Sequence, residues 1–200
     1  MFNLLKQKIH RGALSTLGLL SLFCFINLPE GAEIVPLNQV GSMHSVSRFG
    51  NWKRFHSIQG ACSISLPSTP EHLKQIMPLS DEGYNLRYDI YVAPHERKAV
   101  YMLLIAQYPP LVNGSHAEIN LENFLNGLIT QNPENTLMFA DLTEVQGHKA
   151  LDFFIQVRGT YFKGRAIMAN NNLYLLSMEC EKKNYADRYF KYFIKSFKLK

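Results

Sequence analysis

The chain has 200 residues, of which 46% are hydrophobic and 18% charged, and a formal net charge of +5 at pH 7. This length suits one domain with a single sizeable core, and no internal repeat indicates a second domain. Residues 1–32 contain three basic residues and one acidic residue, so the remaining chain carries only +3. That modest excess weakens the case for a nucleic-acid partner.

The first 32 residues are typical of an export signal. Basic residues at positions 6, 8 and 11 precede the uncharged apolar run Ala13–Leu28, and Ala32 ends a small-residue cleavage site. The run of about 16 residues is shorter than the roughly 20 that a membrane-spanning helix needs. We therefore predict a cleaved signal peptide over residues 1–32, with an uncleaved N-terminal membrane anchor as the alternative. Residues 33–49 are predicted to be a flexible linker, and residues 50–200 a single domain.

Extended segments fill the first half of this domain. Trp52–His56 forms a short lead-in, Gly60–Leu66 is a strand closed by prolines, and His72–Met77 is a further extended segment. Apolar and polar residues alternate in Leu86–Val92, which is typical of a strand buried on one face. Ala99–Tyr108 is apolar on both faces, so we expect it to lie centrally in the sheet with cover on each side.

A helix is predicted between residues 115 and 133, where the apolar period changes to 3.6 residues. Two starts fit the sequence: a capping box of Ser115 with Glu118, or Asn120 as the N-cap. Gly127 in its interior lowers the stability of the helix by about 1 kcal/mol relative to alanine. A glycine at such a position indicates close packing of the helix on the sheet. The apolar stripe consists of Leu121, Phe124, Leu125, Leu128 and Ile129.

A four-stranded antiparallel meander is predicted over residues 137–181, because short turns join its strands. The turns are placed at Gln146–His148, at Lys163–Gly164 and at Asn170–Asn172, each of which contains Gly or Asn. A last helix with Asn184 as its N-cap buries an aromatic stripe. The stripe consists of Ala186, Tyr189, Phe190, Phe193, Ile194 and Phe197. These elements predict the α+β class, with a mostly antiparallel sheet flanked by helices.

Two cysteines, Cys62 and Cys180, follow the leader, and each lies on a predicted strand among apolar residues. In an oxidising compartment they are candidates for a disulfide, which would stabilise the fold by about 4 kcal/mol. Two buried free thiols explain the same pattern, and the sequence does not distinguish these alternatives.

Basic residues are concentrated in residues 182–200. They are typical of a solvated helix face with cations near the helix C-terminus, and they also suit an acidic partner or anionic lipid. The predicted interaction surface comprises Arg87, Arg158, Arg188, Lys191 and Lys195.

Catalytic patterns are missing from the sequence, which contains no Gly-x-Ser-x-Gly elbow, no Ser-x-x-Lys and no Gly-rich phosphate loop. The histidines lack His-Glu-x-x-His spacing, and no Cys-x-x-Cys pair is present, so we predict neither a metal site nor a cofactor. Enzymatic activity stays open, with a non-catalytic role favoured. The alternative is an envelope hydrolase whose site assembles near His95, His116 or His148.

The order of these parts resembles PsbP-like proteins over residues 50–200. The resemblance rests on Trp52, on Cys62–Pro67, on the hairpin that contains Gly147, on Leu173–Leu176 and on Phe193–Phe197. It implies an α/β/α sandwich around an antiparallel sheet. It also implies a binding or assembly role in a larger complex, since the better understood members are not known as enzymes.

The sequence as a whole predicts an exported, periplasmic or extracellular, binding or assembly protein of the cell envelope. We expect a protein partner, with contact to a membrane surface as the alternative and nucleic acid disfavoured by export. A groove at one sheet edge, or the hairpin ends, is the expected contact surface.

Overall fold

The computed structural model describes residues 33–34, 41–47, 50–78, 84–110, 112 and 114–200. The predicted signal peptide lies outside these residues. Part of the predicted linker is strand, because residues 33–34 and 41–47 form the first two strands. Within the described ranges, neither α-helix has the length and apolar character that a bilayer crossing requires.

Twelve strands and two α-helices make up the described part of the molecule, and they confirm the predicted α+β class. The strands are β1 Glu33–Ile34, β2 Gly41–Ser47, β3 Gly50–Ser57, β4 Cys62–Leu66, β5 Glu71–Pro78, β6 Asn85–His95, β7 Ala99–Gln107, β8 Thr136–Val145, β9 His148–Val157, β10 Thr160–Ala169, β11 Asn172–Glu181 and β12 Lys198–Leu199. The helices are α1, Ala117–Thr130, and α2, Asp187–Ser196, and each follows a short 3-10 turn.

Antiparallel pairing joins the strands into two sheets. The large sheet has the order β1-β5-β6-β7-β11-β10-β9-β8, and the small sheet has the order β12-β4-β3-β2. β7 pairs with both β6 and β11, and eight of its nine residues are buried. The prediction of a central strand covered on both faces is therefore confirmed.

Two apolar cores lie on opposite faces of the large sheet. Alternate residues of β7 separate between them: Tyr101 and Leu103 enter the first core, while Met102 and Leu104 enter the second. The first core is closed by the small sheet and α2, and the second by α1. Helices thus cover both faces as predicted, and the small sheet adds to the cover on one face.

The β9–β10 turn lies at Arg158 and Gly159, which have φ values of 41° and 81°. Positive φ at both central residues is the geometry of a tight two-residue hairpin. The predicted turn at Lys163–Gly164 is wrong, because these residues lie within β10. The β8–β9 turn has the same geometry at Gln146 and Gly147, where a turn was predicted.

Neither predicted start of α1 is correct. The N-cap is His116, which makes no side-chain capping hydrogen bond, and Ser115 lies one residue earlier, in the 3-10 turn. Asn120 lies inside the helix. Gly127 is exposed, with open space where a Cβ would lie, so the expected close packing on the sheet is also wrong.

Candidate interaction surfaces

The aromatic stripe holds α2 on the molecule. Phe190 and Phe193 are buried in the first core, and Phe197, directly after the helix, is buried with them. The predicted burial is confirmed for these three residues, whereas Ala186, Tyr189 and Ile194 are half-buried. The predicted N-cap is wrong, because Asn184 lies in the preceding 3-10 turn and Ala186 occupies the N-cap position.

The first turn of α2 is fixed by a cluster of charged and phenolic groups. Lys163 Nζ donates to Asp187 Oδ1 at 2.6 Å and to Tyr185 Oη at 2.9 Å. Tyr185 Oη donates to the same carboxylate at 2.8 Å, and Lys191 Nζ lies 2.7 Å from its second oxygen. Hydrogen bonds from Lys163 and then Lys191 hold the pKa of Asp187 far below its ordinary value.

The last turn of α2 is fixed by polar contacts with the small sheet. The Arg54 guanidinium donates to the Ser196 carbonyl and, at 2.7 Å, to Ser63 Oγ. The Ser65 backbone N–H donates to Ser196 Oγ at 2.8 Å. Burial lowers the pKa of Arg54 because desolvation penalises its charge. α2 is therefore held at both ends, so its outward side chains project from a fixed helix.

Three cations share the outward face of α2, and we call this set the basic face. Arg188, Lys191 and Lys195 are all exposed, and their spacing of three and four residues places them on one stripe of the helix. Lys191 pairs with Asp187, whereas Arg188 lies over the Tyr189 ring at 4.9 Å. Among the described residues, neither Arg188 nor Lys195 has a carboxylate partner.

The two other residues of the predicted interaction surface lie elsewhere. Arg87 is exposed on β6 opposite Gln107, the last residue of β7. Arg158 lies in the β9–β10 turn and pairs with Glu134, and the Gly159 carbonyl of that turn accepts a hydrogen bond from the Lys182 N–H, in the 3-10 turn before α2. Of the five residues, only the three of α2 share one helix face.

An apolar edge is the second exposed surface. Among the described residues β8 pairs only with β9, so it forms one edge of the large sheet. Four large apolar side chains on it expose between 40% and 54% of their surface: Leu137, Met138, Phe139 and Leu142. We call these four residues the β8 patch. Exposed apolar edge strands are templates for pairing with another strand.

The three histidines of the alternative hydrolase site do not converge. His95 and His148 lie near opposite ends of the large sheet, and His116 lies on an exposed turn before α1. His95 packs edge-on against Trp52 and Tyr189, at centroid distances of 5.7 Å and 5.1 Å. Burial lowers its pKa. Within the described residues, no group of three His, Cys, Asp or Glu side chains could hold a metal ion.

A buried polar pair that sequence reasoning did not single out joins β5 to β6. His72 Nε2 lies 2.9 Å from Asp89 Oδ1, and both side chains are buried. The Tyr91 ring stacks on the imidazole at 4.4 Å, and its hydroxyl lies 3.4 Å from Ser57 Oγ. The His72 side chain is fully buried, and its contact with Asp89 ties β5 to β6. The alternation in Leu86–Val92 places Asp89 on the polar face of its strand, so the sequence did not indicate that this face is buried.

Cys62 and Cys180 are both buried free thiols in the structure. Cys62 lies two residues after Gly60, whose carbonyl accepts a hydrogen bond from Tyr174 Oη at 2.9 Å. Tyr174 and Cys180 lie six residues apart on β11, which is about 20 Å of strand. Cys180 is therefore about 20 Å along β11 from the residue that contacts the segment just before Cys62. Burial raises the pKa of each thiol to about 12.

No protein-family model and no curated protein matches this chain. Among solved structures, it is similar to the solution structure of cyanobacterial PsbP (CyanoP) from Synechocystis sp. PCC 6803, with 12% identity and a TM-score of 0.48, over 78% of this chain and 98% of that chain. CyanoP belongs to the family that the sequence resembles. A crystal structure from Bacteroides thetaiotaomicron VPI-5482 is similar at 14% identity and a TM-score of 0.41, over 75% of this chain and 49% of that chain. Both likenesses concern the path of the backbone alone.

Proposed function

We propose that this chain is an exported, non-catalytic binding or assembly protein of the cell envelope, and that an acidic protein partner binds the basic face of α2. The single observation that carries the proposal is the arrangement of Arg188, Lys191 and Lys195. They lie on one exposed stripe of a helix whose two ends are fixed by hydrogen bonds to the sheets.

The electrostatics of α2 support an acidic partner. Arg188 and Lys195 have no carboxylate partner among the described residues, so a partner's carboxylates would not have to displace an internal ion pair. Because the aromatic stripe fixes the helix, the cations lose little backbone freedom on binding. Preorganised charge of this kind increases the rate and specificity of association more than the affinity itself.

The distribution of charge along the chain points to the same region. Residues 181–200 contain seven basic and two acidic residues, whereas residues 33–180 contain eleven basic and thirteen acidic residues. The charge excess of the domain is therefore confined to α2 and the residues beside it. An acidic partner would be attracted to that side of the molecule.

Capture from envelope fractions tests the proposal. The full chain, recovered from an export-competent host, is crosslinked mildly and retained proteins are identified, in parallel with an Arg188→Glu/Lys195→Glu variant. We expect the native chain to retain a partner, the double variant to lose it, and capture to weaken as salt rises, because exposed charges are screened.

Arg87→Glu is the matched control, since Arg87 is an exposed cation away from α2. It should retain the partner. Equal loss in both variants, or no retained protein at all, would contradict the proposal. Capture of anionic lipid vesicles in place of a protein, lost in the double variant, would assign the basic face to a membrane surface and would also contradict it.

Export itself is tested on the mature N-terminus. Mass spectrometry of the purified chain should find that it begins near Glu33, which follows the small-residue site at Ala32. Recovery of a cytosolic chain that retains residues 1–32 would contradict the proposed location.

A further inference from the structure

We propose that the β6–β7 turn, residues 96–98, is a second contact element beside α2, and that Arg97 binds the same acidic partner as the basic face. The inference rests on the proposed function, because it extends that surface from one helix to a hairpin distant in sequence. The partner must then present an acidic segment long enough to reach from the helix to the turn.

An aromatic contact places the turn beside α2. His95, the last residue of β6, immediately precedes the turn, and its ring lies edge-on to the Tyr189 ring at a centroid distance of 5.1 Å. The Arg188 guanidinium lies over that same tyrosine ring at 4.9 Å. Tyr189 also interacts electrostatically with the Lys98 ammonium. The Arg188 end of the basic face is therefore next to the turn.

The charges in the turn leave one cation available. Glu96 Oε2 lies 2.9 Å from Lys98 Nζ, and the other oxygen of this carboxylate lies 3.9 Å from His95 Nε2. Arg97 is exposed, and among the described residues it has no carboxylate partner. Like Arg188 in the basic face, it can meet a partner's carboxylate without displacing an internal ion pair.

The backbone of the turn is a second observation that favours a functional role. Glu96 and Arg97 have φ values of 49° and 55°, and the Lys98 N–H donates to the His95 carbonyl at 2.9 Å. Left-handed backbone is unfavourable for residues with a Cβ, so tight turns of this kind usually contain glycine or asparagine. The β8–β9 and β9–β10 turns each have glycine at the second such position, whereas this turn has none. Strained residues of this kind cluster at functional sites.

The geometry of the two elements determines the kind of partner. Arg188 and Lys195 are seven residues apart on α2, which is about 10 Å along the helix axis. The turn extends the cations beyond the Arg188 end of this stripe, so a single carboxylate cannot contact both elements. An extended chain rises about 3.3 Å per residue, so three or four residues pass the α2 stripe alone. A longer acidic run is needed to reach Arg97 as well.

Fluorescence anisotropy with a labelled oligoglutamate peptide of about twelve residues tests the proposal. The salt concentration is about 0.1 M, where screening limits the effect of an exposed charge to about 10 Å. The full chain should bind this peptide. Arg97→Glu should weaken binding by about 3- to 10-fold, as Arg188→Glu does, because each variant reverses one exposed charge at the contact.

Arg87→Glu is the matched control, because it makes the same charge change on an exposed residue of β6. Arg87 lies eight residues before His95, which is about 27 Å of strand. This variant should bind the peptide within about twofold of the native affinity, because the distance exceeds the screening length.

Arg97→Gly distinguishes a contact from a structural role. Glycine adopts positive φ without strain, so this variant should melt about 2–4 °C above the native chain when followed by circular dichroism. It should nevertheless bind the peptide more weakly, because the cation is lost. Arg97→Lys keeps the charge and should bind about as well as the native chain. A purely structural role would instead leave the affinity of the more stable Arg97→Gly unchanged.

Native affinity in Arg97→Glu or in Arg97→Gly, or equal weakening in Arg87→Glu, would overturn the second contact. If only the Arg188→Glu/Lys195→Glu variant lost the peptide, the proposed function would stand without the turn. A native chain that does not bind the peptide at all would contradict both.

Discussion

The ring of Phe153 on β9 lies directly against Gly164 on β10, in the space that any other side chain at that position would occupy. The two residues face each other across the strands. A Cβ built on Gly164 would lie 2.3 Å from Cζ of this ring and within 3.0 Å of two further ring carbons. Phe153 is buried, so the ring has little freedom to move away.

Gly164→Ala should therefore destabilise the protein by about 1–3 kcal/mol, the usual effect of overpacking a core. Denaturant unfolding would measure the change. Gly127→Ala is the contrasting variant, because Gly127 lies in α1 with nothing near a built Cβ. It should stabilise by up to about 1 kcal/mol, since alanine is the better helix former. Equal effects of the two variants would show that the ring does not restrict position 164.

The two thiols should resist alkylation in the folded protein. Burial raises the pKa of Cys62 and of Cys180 to about 12, so at pH 8 almost no thiolate is present. In the chain that begins near Glu33, which lacks Cys24, iodoacetamide labelling followed by intact mass should detect no modification in buffer and two modifications in denaturant. A mass lower by about 2 Da, with no labelling in denaturant, would indicate a disulfide and contradict the free thiols.

The free energy of unfolding should fall in acid, because the Asp187 carboxylate becomes protonated. Its folded-state pKa is lowered from the ordinary value of 3.8, so its contribution is present above about pH 4 and is lost as the pH falls below that. Asp187→Asn should lower the free energy of unfolding at pH 6 by about 1 kcal/mol and should lose less stability than the native protein between pH 6 and pH 3. Glu134→Gln, which breaks the exposed pair with Arg158, should change stability much less, because water screens exposed ion pairs. The prediction for Asp187 is wrong if the two variants respond alike to acid.

The buried pair of His72 and Asp89 should show strong coupling. Replacing either residue alone with leucine leaves a buried polar group without its partner and should destabilise by about 3 kcal/mol. The double variant should be less destabilised than the sum of the two single variants, because neither polar group remains. Denaturant unfolding of all four proteins completes the cycle. Simple additivity would contradict the coupling.

The correctly predicted elements are those whose structure follows from the alternation or the spacing of their own apolar residues. The alternation in Leu86–Val92 and the two-sided apolar run Ala99–Tyr108 correspond to β6 and β7. The aromatic stripe of α2 predicted its burial, because helical spacing places Phe190 and Phe193 on one face.

The wrong or missing predictions concern positions whose structure depends on residues that are distant in the sequence. Lys163–Gly164 has turn composition, yet it lies within β10, where both residues pair with β9 and β11 and the Phe153 ring fills the space beside the glycine. The true turn contains Arg158 at positive φ, a conformation that its residue type does not favour. The buried His72–Asp89 pair and the exposed β8 patch depend on strand register and on which strands are neighbours. A single sequence reveals neither the register of the strands nor which strands are neighbours.

The small sheet has a consequence for the order in which the molecule can form. β12 pairs Lys198 with Ser63 and Leu199 with Cys62, and the Lys200 N–H donates to the Ala61 carbonyl at 2.8 Å. A ribosome must therefore add more than a hundred residues after β4 before that flank of the strand can be occupied. Contacts so distant along the chain form late, because a large loop must close first. During most of synthesis one side of β4 lacks its final neighbour. The small sheet therefore stays incomplete until the last residues of the chain have been added.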